Sequence, residues 1–197
     1  MEINKSNLSG TFRRIAECDE SFKEALSIVE QNTADGRIWL IGGFLYKTLA
    51  NYLYGTSKPS KDFDFIIECP NQQIVLPENW RLSKSRFGNS KFAKTDKSLE
   101  IDFVPLSRVH GIIKRRIPPS IQNYLSGVPL SIHYLAYETK SGILEGDVGL
   151  ASLEQKFVRL HNLEMAEDAA RLYNTTVNEM ITKKARELGF RAELVNR

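Results

Sequence analysis

Ile38-Trp39-Leu40-Ile41-Gly42-Gly43-Phe44-Leu45 is a short apolar run stopped by two glycines, and it is followed by Asp62-Phe63-Asp64-Phe65-Ile66-Ile67. The first run is rich in strand formers, so it reads as a buried strand ending at Gly42. From Phe44 to Tyr54 the period changes to that of a helix, through Leu45, Leu49 and Leu53, and Gly55 is placed as a C-cap. A polar loop, residues 56–61, leads into Asp62–Ile67, whose period of two puts Asp62 and Asp64 on one face of a strand.

These residue types in this order point to phosphate chemistry. Two glycines at a strand end let backbone N–H groups approach a ligand without side-chain obstruction. A helix starting there adds its positive end. Two carboxylates at i and i+2 repel each other unless a cation lies between them, so Asp62 and Asp64 form a candidate Mg²⁺ clamp. Ser98–Leu106 alternates again. Leu99, Ile101 and Phe103 take one side and Glu100 and Asp102 the other, which makes Asp102 the candidate third carboxylate. Three such groups suit two-metal phosphoryl transfer. Each signal alone is common; their order is the specific feature.

Further out, residues 11–32 read as one amphipathic helix through Phe12, Ile15, Phe22, Leu26 and Val29, ended by Ala34-Asp35-Gly36. Leu82–Phe87 reads as a strand before Gly88. Pro118-Pro119 precedes a short helix, Ser120–Leu125, and Pro129–Tyr137 is open between helix and strand. From Leu150 onward the pattern is helical. Leu153, Phe157, Leu160 and Leu163 form one stripe, continued by Ala170, Tyr173, Val177, Ile181 and Leu188. The expected class is α+β: a mixed or antiparallel sheet flanked by helices over residues 1–149, then a helical segment over residues 150–197.

Composition sets the outer bounds. The chain has 197 residues, 42% hydrophobic and 26% charged, enough for a real core. Cys18 and Cys69 are too few for a disulfide framework and are expected as reduced thiols. No run is long and apolar enough for a membrane span, and the first residues lack a signal-peptide core. These features lead to the expectation of a cytoplasmic protein. The net charge is +3, but it is uneven. Between Arg81 and Arg116, ten Lys and Arg face three acids for a net +7, leaving −4 elsewhere. That basic segment is a candidate surface for an RNA acceptor. His110, His133 and His161 have no metal-ligand spacing, His133 reads as a core residue, and Tyr134 and Tyr137 read as packing residues. There is no P-loop and no serine elbow.

The ordered constellation resembles the polymerase β-type nucleotidyltransferase superfamily, and in particular the head of class II CCA-adding enzymes and bacterial poly(A) polymerases. The resemblance is carried by Ile38–Leu45 and by Pro59-Ser60-Lys61-Asp62-Phe63-Asp64, which is similar to the family's P-x-K-D-x-D run. Leu130–Tyr137, Gly146–Leu150 and Glu167-Asp168-Ala169-Ala170-Arg171 carry it further, the last being similar to the family's E-D-x-x-R. The resemblance implies that Asp62 and Asp64 bind catalytic Mg²⁺ or Mn²⁺, and that Gly42 and Gly43 hold a nucleoside triphosphate. It also implies that Asp168 and Arg171 read the base. The chain departs from the family in three places. Leu45-Tyr46-Lys47 stands where the family has V-R-D, leaving Lys47 as the candidate phosphate-binding charge. Gly127-Val128-Pro129 replaces R-R-D, and Asn174 replaces a second arginine. The expected activity is transfer of a nucleoside monophosphate from an NTP to a hydroxyl, with an RNA 3′ end as the candidate acceptor and release of pyrophosphate. Asp102 would orient or deprotonate that hydroxyl. The alternatives are a non-catalytic nucleotide- or RNA-binding module, or a transferase acting on a protein or small molecule.

Overall fold

Alternation along Asp62–Ile67 divides that strand between two environments, and the rest of the fold is arranged around the division. The computed structural model describes residues 4–58 and 60–195. Pro59, part of the quoted P-x-K-D-x-D run, lies outside the described residues, as do residues 1–3 of the N-terminal stretch. In chain order the elements are α1 (Lys5–Cys18), α2 (Glu20–Gln31), β1 (Ile38–Ile41), α3 (Gly42–Tyr54), β2 (Asp62–Ile67), β3 (Trp80–Lys84), β4 (Ser90–Lys94) and β5 (Glu100–Pro105). They continue with α4 (His110–Arg115), α5 (Ile121–Leu125), β6 (Ala136–Glu138), β7 (Leu144–Glu145), α6 (Asp147–Gln155), β8 (Phe157–Arg159), α7 (Leu163–Tyr173), α8 (Val177–Leu188) and β9 (Arg191–Glu193).

Among the described residues, seven strands form one mixed sheet in the order β3-β4-β5-β2-β1-β6-β7. β2 and β5 run parallel; β1 is antiparallel to β2 and to β6. Phe63 and Phe65 face α2 and α3, where Phe22 and Phe44 lie stacked 5.5 Å apart and Phe63 approaches Phe44 to 4.6 Å. On the opposite face, Trp39 and Ile66 are covered by Ile112, Ile121 and Leu125 of α4 and α5. Asp62 and Asp64, in the first half of β2, share that second face with Ile66.

Two sequence expectations need correction, and one strand was not expected. The helix expected over 11–32 is two helices, because Asp19 is extended (φ −90°, ψ 108°) and its carboxylate accepts the Phe22 N–H, capping α2. The helical stripe expected from Leu150 is broken at Lys156, whose φ of 53° ends α6. Phe157 then lies in β8, which pairs in parallel with β9. β4 was not anticipated, since Phe92 is its one fully buried residue and leaves almost no periodic signal. Pro129–Tyr137 resolves into a 3-10 turn at Ser131–His133 followed by β6. Gly55 caps α3 in the left-handed region (φ 64°), as expected. Residue 149 lies inside α6, which is fastened to the 3-10 turn by the Ser152–Ser131 hydroxyl hydrogen bond (2.7 Å).

Candidate functional site

β1 ends against β2 with Ile41 opposite Asp64. The next residue, Gly42, has φ +75°, and a Cβ there would overlap the Asp64 carboxylate. Both observations require glycine. The Gly43 N–H, at the start of α3, donates to Asp64. Ser60 Oγ accepts the Asp62 N–H at 3.2 Å and so holds the start of β2.

The parallel register of β2 and β5 sets Asp64 beside Asp102 and Asp62 beside Glu100. All four carboxylates therefore belong to one face. β4 places Lys91 opposite Asp102, and its Nζ lies 2.6 Å from Glu100 Oε2. Burial pushes the Asp64 carboxyl up to about 7, helped by the charges of Asp102 and Asp62 and opposed by the Gly43 N–H and Lys91. Asp102 is also raised, by burial first, with Glu100 and Asp62 adding to the shift and Lys91 and a hydrogen bond with Asp64 opposing it. Asp102 Oδ1 is buried without a partner. Among the described residues, no three His, Cys, Asp or Glu side chains stand in a ready-made metal-holding geometry. The orphaned oxygen and the excess of carboxylate over ammonium do fit a hard divalent cation, which prefers oxygen ligands.

Asp168 and Arg171 come together elsewhere, on α7. Asp168 is ion-paired to Lys114 and to Arg171, and its Oδ2 lies 3.5 Å from His110 Nε2. These partners, Lys114 first, hold its carboxyl below the usual range against the opposing effect of burial. Lys114 also meets Glu164 at 3.0 Å. The pair lines a cleft of about 710 Å³ with Arg86, Phe87, His110 and Lys114. The Phe87 and His110 rings are 5.6 Å apart, and the Arg86 guanidinium stands 5.5 Å over Tyr173. Among the described residues, no hydrogen bond or ion pair joins this group to Asp62, Asp64 or Asp102. Asn174, which stands where a second arginine was sought, is the left-handed C-cap of α7 (φ 50°). Asn tolerates that conformation well.

Lys47 points to α8, with Nζ 3.7 Å from Glu187 Oε2. The basic segment is partly consumed by the fold. Lys91 pairs with Glu100 and Lys94 with Glu24 (2.8 Å). Arg115 braces the turn after α5 through Gly111, Asn123 and Ser126. Arg81, Lys84, Lys97, Arg108 and Arg116 are exposed and make no ion pair among the described residues. Sequence reasoning placed Glu100 on the face of Asp102 but missed Lys91, whose signal was the register of two neighbouring strands. It also missed Tyr46 and Lys184. His133 is half-buried against Tyr46 (5.7 Å) and is pushed down to about 3 by burial first, then by the charge of Lys184.

The fold is similar to that of solved CCA-adding enzymes. One, in complex with ATP, is 18% identical with a TM-score of 0.53, over 98% of this chain and 40% of that one. The Bacillus stearothermophilus enzyme in complex with CTP is 17% identical with a TM-score of 0.53, over 88% of this chain and 41% of that one. The Thermotoga maritima enzyme complexed with tRNA is 17% identical with a TM-score of 0.50, over 96% and 47%. The chain thus spans less than half the length of these relatives. It has a polymerase β-type nucleotidyltransferase-like fold of class α+β, with a mixed sheet flanked by helices. No family model matches the chain, and no curated protein matches its sequence.

Proposed function

We propose that this chain is a nucleotidyltransferase that moves a nucleoside monophosphate from an NTP to a hydroxyl group, with release of pyrophosphate. The observation that carries this reading is the convergence of Asp62, Asp64 and Asp102 beside Gly42, where burial and mutual repulsion raise two of the acids and leave Asp102 Oδ1 unpartnered. Asp62, Asp64 and Asp102 would hold Mg²⁺ or Mn²⁺. Such an ion supplies charge neutralisation for the transferred phosphoryl group and lowers the pKa of a coordinated hydroxyl.

The chain's own residues supply the rest. Gly42 and Gly43 give an unobstructed backbone against which the triphosphate would lie, and Asp102 would orient the acceptor hydroxyl. Lys47 adds positive charge one turn into α3. Asp168 and Arg171 would read the base, an acceptor beside a donor suiting a Watson–Crick edge. For Asp168 this means exchanging Lys114 or His110 for the base, because its oxygens are already engaged. Arg81, Lys84, Lys97, Arg108 and Arg116 form the free part of the basic segment and would meet the phosphates of an RNA 3′ end. Residues 1–149 would form the catalytic head and residues 150–197 a neck-like segment. Cys18 and Cys69 are free and exposed, and no helix among the described residues is long and apolar enough to cross a membrane. A cytoplasmic setting is part of this proposal.

The test is incubation with each labelled NTP, Mg²⁺ or Mn²⁺, and total RNA or cell extract. Labelled RNA is the expected product. Labelled protein or small molecule would keep the chemistry and change the acceptor. NTP binding with no transfer to any acceptor would identify a binding module instead.

A further inference from the structure

Tyr46 lies one turn into α3, directly behind the glycine pair. Its hydroxyl stands 3.8 Å from the position a Cβ on Gly43 would take, with the Ser60 Cβ at 3.6 Å from that same position. α8 brings a cation to this point: Lys184 Nζ lies 5.4 Å from the Tyr46 ring centroid.

Lys184 is not consumed by its other partner. Its Nζ meets Glu187 Oε2 at 2.8 Å, and the same oxygen takes Lys47 at 3.7 Å. Two ammonium groups share one carboxylate, which leaves one positive charge in excess. The Lys184 side chain is 20% exposed, so an anion can reach it without unfolding α8. α3 itself begins without a side-chain cap, since Ile41 has no group to offer.

We propose that Lys184, seated on Tyr46, is the cation that binds the triphosphate lying over Gly42 and Gly43. The assignment rests on the nucleotidyltransferase reading and adds a substrate-contacting residue to it. An ammonium serves phosphate oxygens as a point charge and needs no planar register, so it can arrive from a different element.

The experiment measures the binding of ATP, ADP and AMP to the full chain and to Lys184→Met, which keeps the aliphatic stem on Tyr46. The wild-type chain should bind ATP more tightly than AMP. In Lys184→Met, ATP should weaken about tenfold, the scale of one hydrogen bond to a charged group, while AMP changes less than about twofold. Lys184→Arg should recover most of the loss. Glu187→Gln, which frees both ammonium groups, should widen the ATP-to-AMP ratio. A role confined to packing would instead lower the melting temperature and leave that ratio unchanged. An unchanged ratio in Lys184→Met and in Glu187→Gln, with ATP still bound and transferred, overturns Lys184 alone. A wild-type chain that neither binds nor transfers any nucleotide overturns the nucleotidyltransferase reading and this assignment with it.

Discussion

Asp64 on β2 faces two other aspartates against one backbone N–H and the more distant charge of Lys91, while Asp168 on α7 meets Lys114, Arg171 and His110. The first carboxyl is raised to about 7 and the second is lowered. Both are on well-formed elements, so the contrast comes from their neighbours. At the sheet corner the fold gathers like charges and covers them. On α7 it supplies partners. An acid without compensation is costly to hold and gains most from an incoming cation. A compensated acid can serve recognition only by releasing a partner. In the proposed function the corner would therefore be the centre of the chemistry, and the α7 cluster would serve base recognition.

The largest effect should come from the uncompensated side. Asp64→Asn or Asp102→Asn should lower nucleotidyl transfer by roughly a hundredfold or more, the scale of losing one preorganised electrostatic group. The same substitutions remove repulsion, so thermal melting should stay level or rise. A drop in both would mean that the carboxylates are structural. Next, Gly42→Ala should cost about 1–3 kcal/mol in a denaturant titration, because it strains a left-handed backbone and pushes a methyl group into Asp64. A neutral Gly42→Ala would show that the corner is looser than described.

On the compensated side, Asp168→Ala or Arg171→Ala should flatten the preference among the four NTPs while leaving transfer to the best acceptor within a few-fold. An unchanged preference would return the pair to an ordinary surface ion pair. The smallest effect concerns His133. Its folded form is held neutral, pushed down to about 3 from an ordinary 6.5. Its contribution to stability is full above pH 6.5 and is lost as pH falls toward 3, because the unfolded chain takes up the proton first. His133→Gln should make the acid limb of a melting-temperature profile shallower. An identical limb would show that His133 is protonated in the fold.

The same contrast explains what was legible in the sequence. Gly42, Gly43, Asp62 and Asp64 were readable because strand and helix periods fix them locally, and Asp102 because its strand alternates. Glu100 shares the face of Asp102 by the same alternation, but Lys91 completes that corner through the pairing of β4 with β5, which alternation in one strand does not reveal. The E-D-x-x-R run was visible, but Lys114 and His110, its partners, come from α4, more than fifty residues upstream. Lys184 escaped notice because α8 reaches Tyr46 only in three dimensions. The division of residues 11–32 at Asp19 turned on one carboxylate capping one N–H, a local bond that outweighed an apparently continuous stripe.

The most direct test of the central claim is label transfer from α-labelled NTP to RNA in the presence of Mg²⁺ or Mn²⁺, comparing the wild-type chain with Asp64→Asn and Asp102→Asn. Divalent-dependent labelling by the wild type, lost in both variants while they remain folded, is the predicted result. Equal labelling by all three proteins would contradict it.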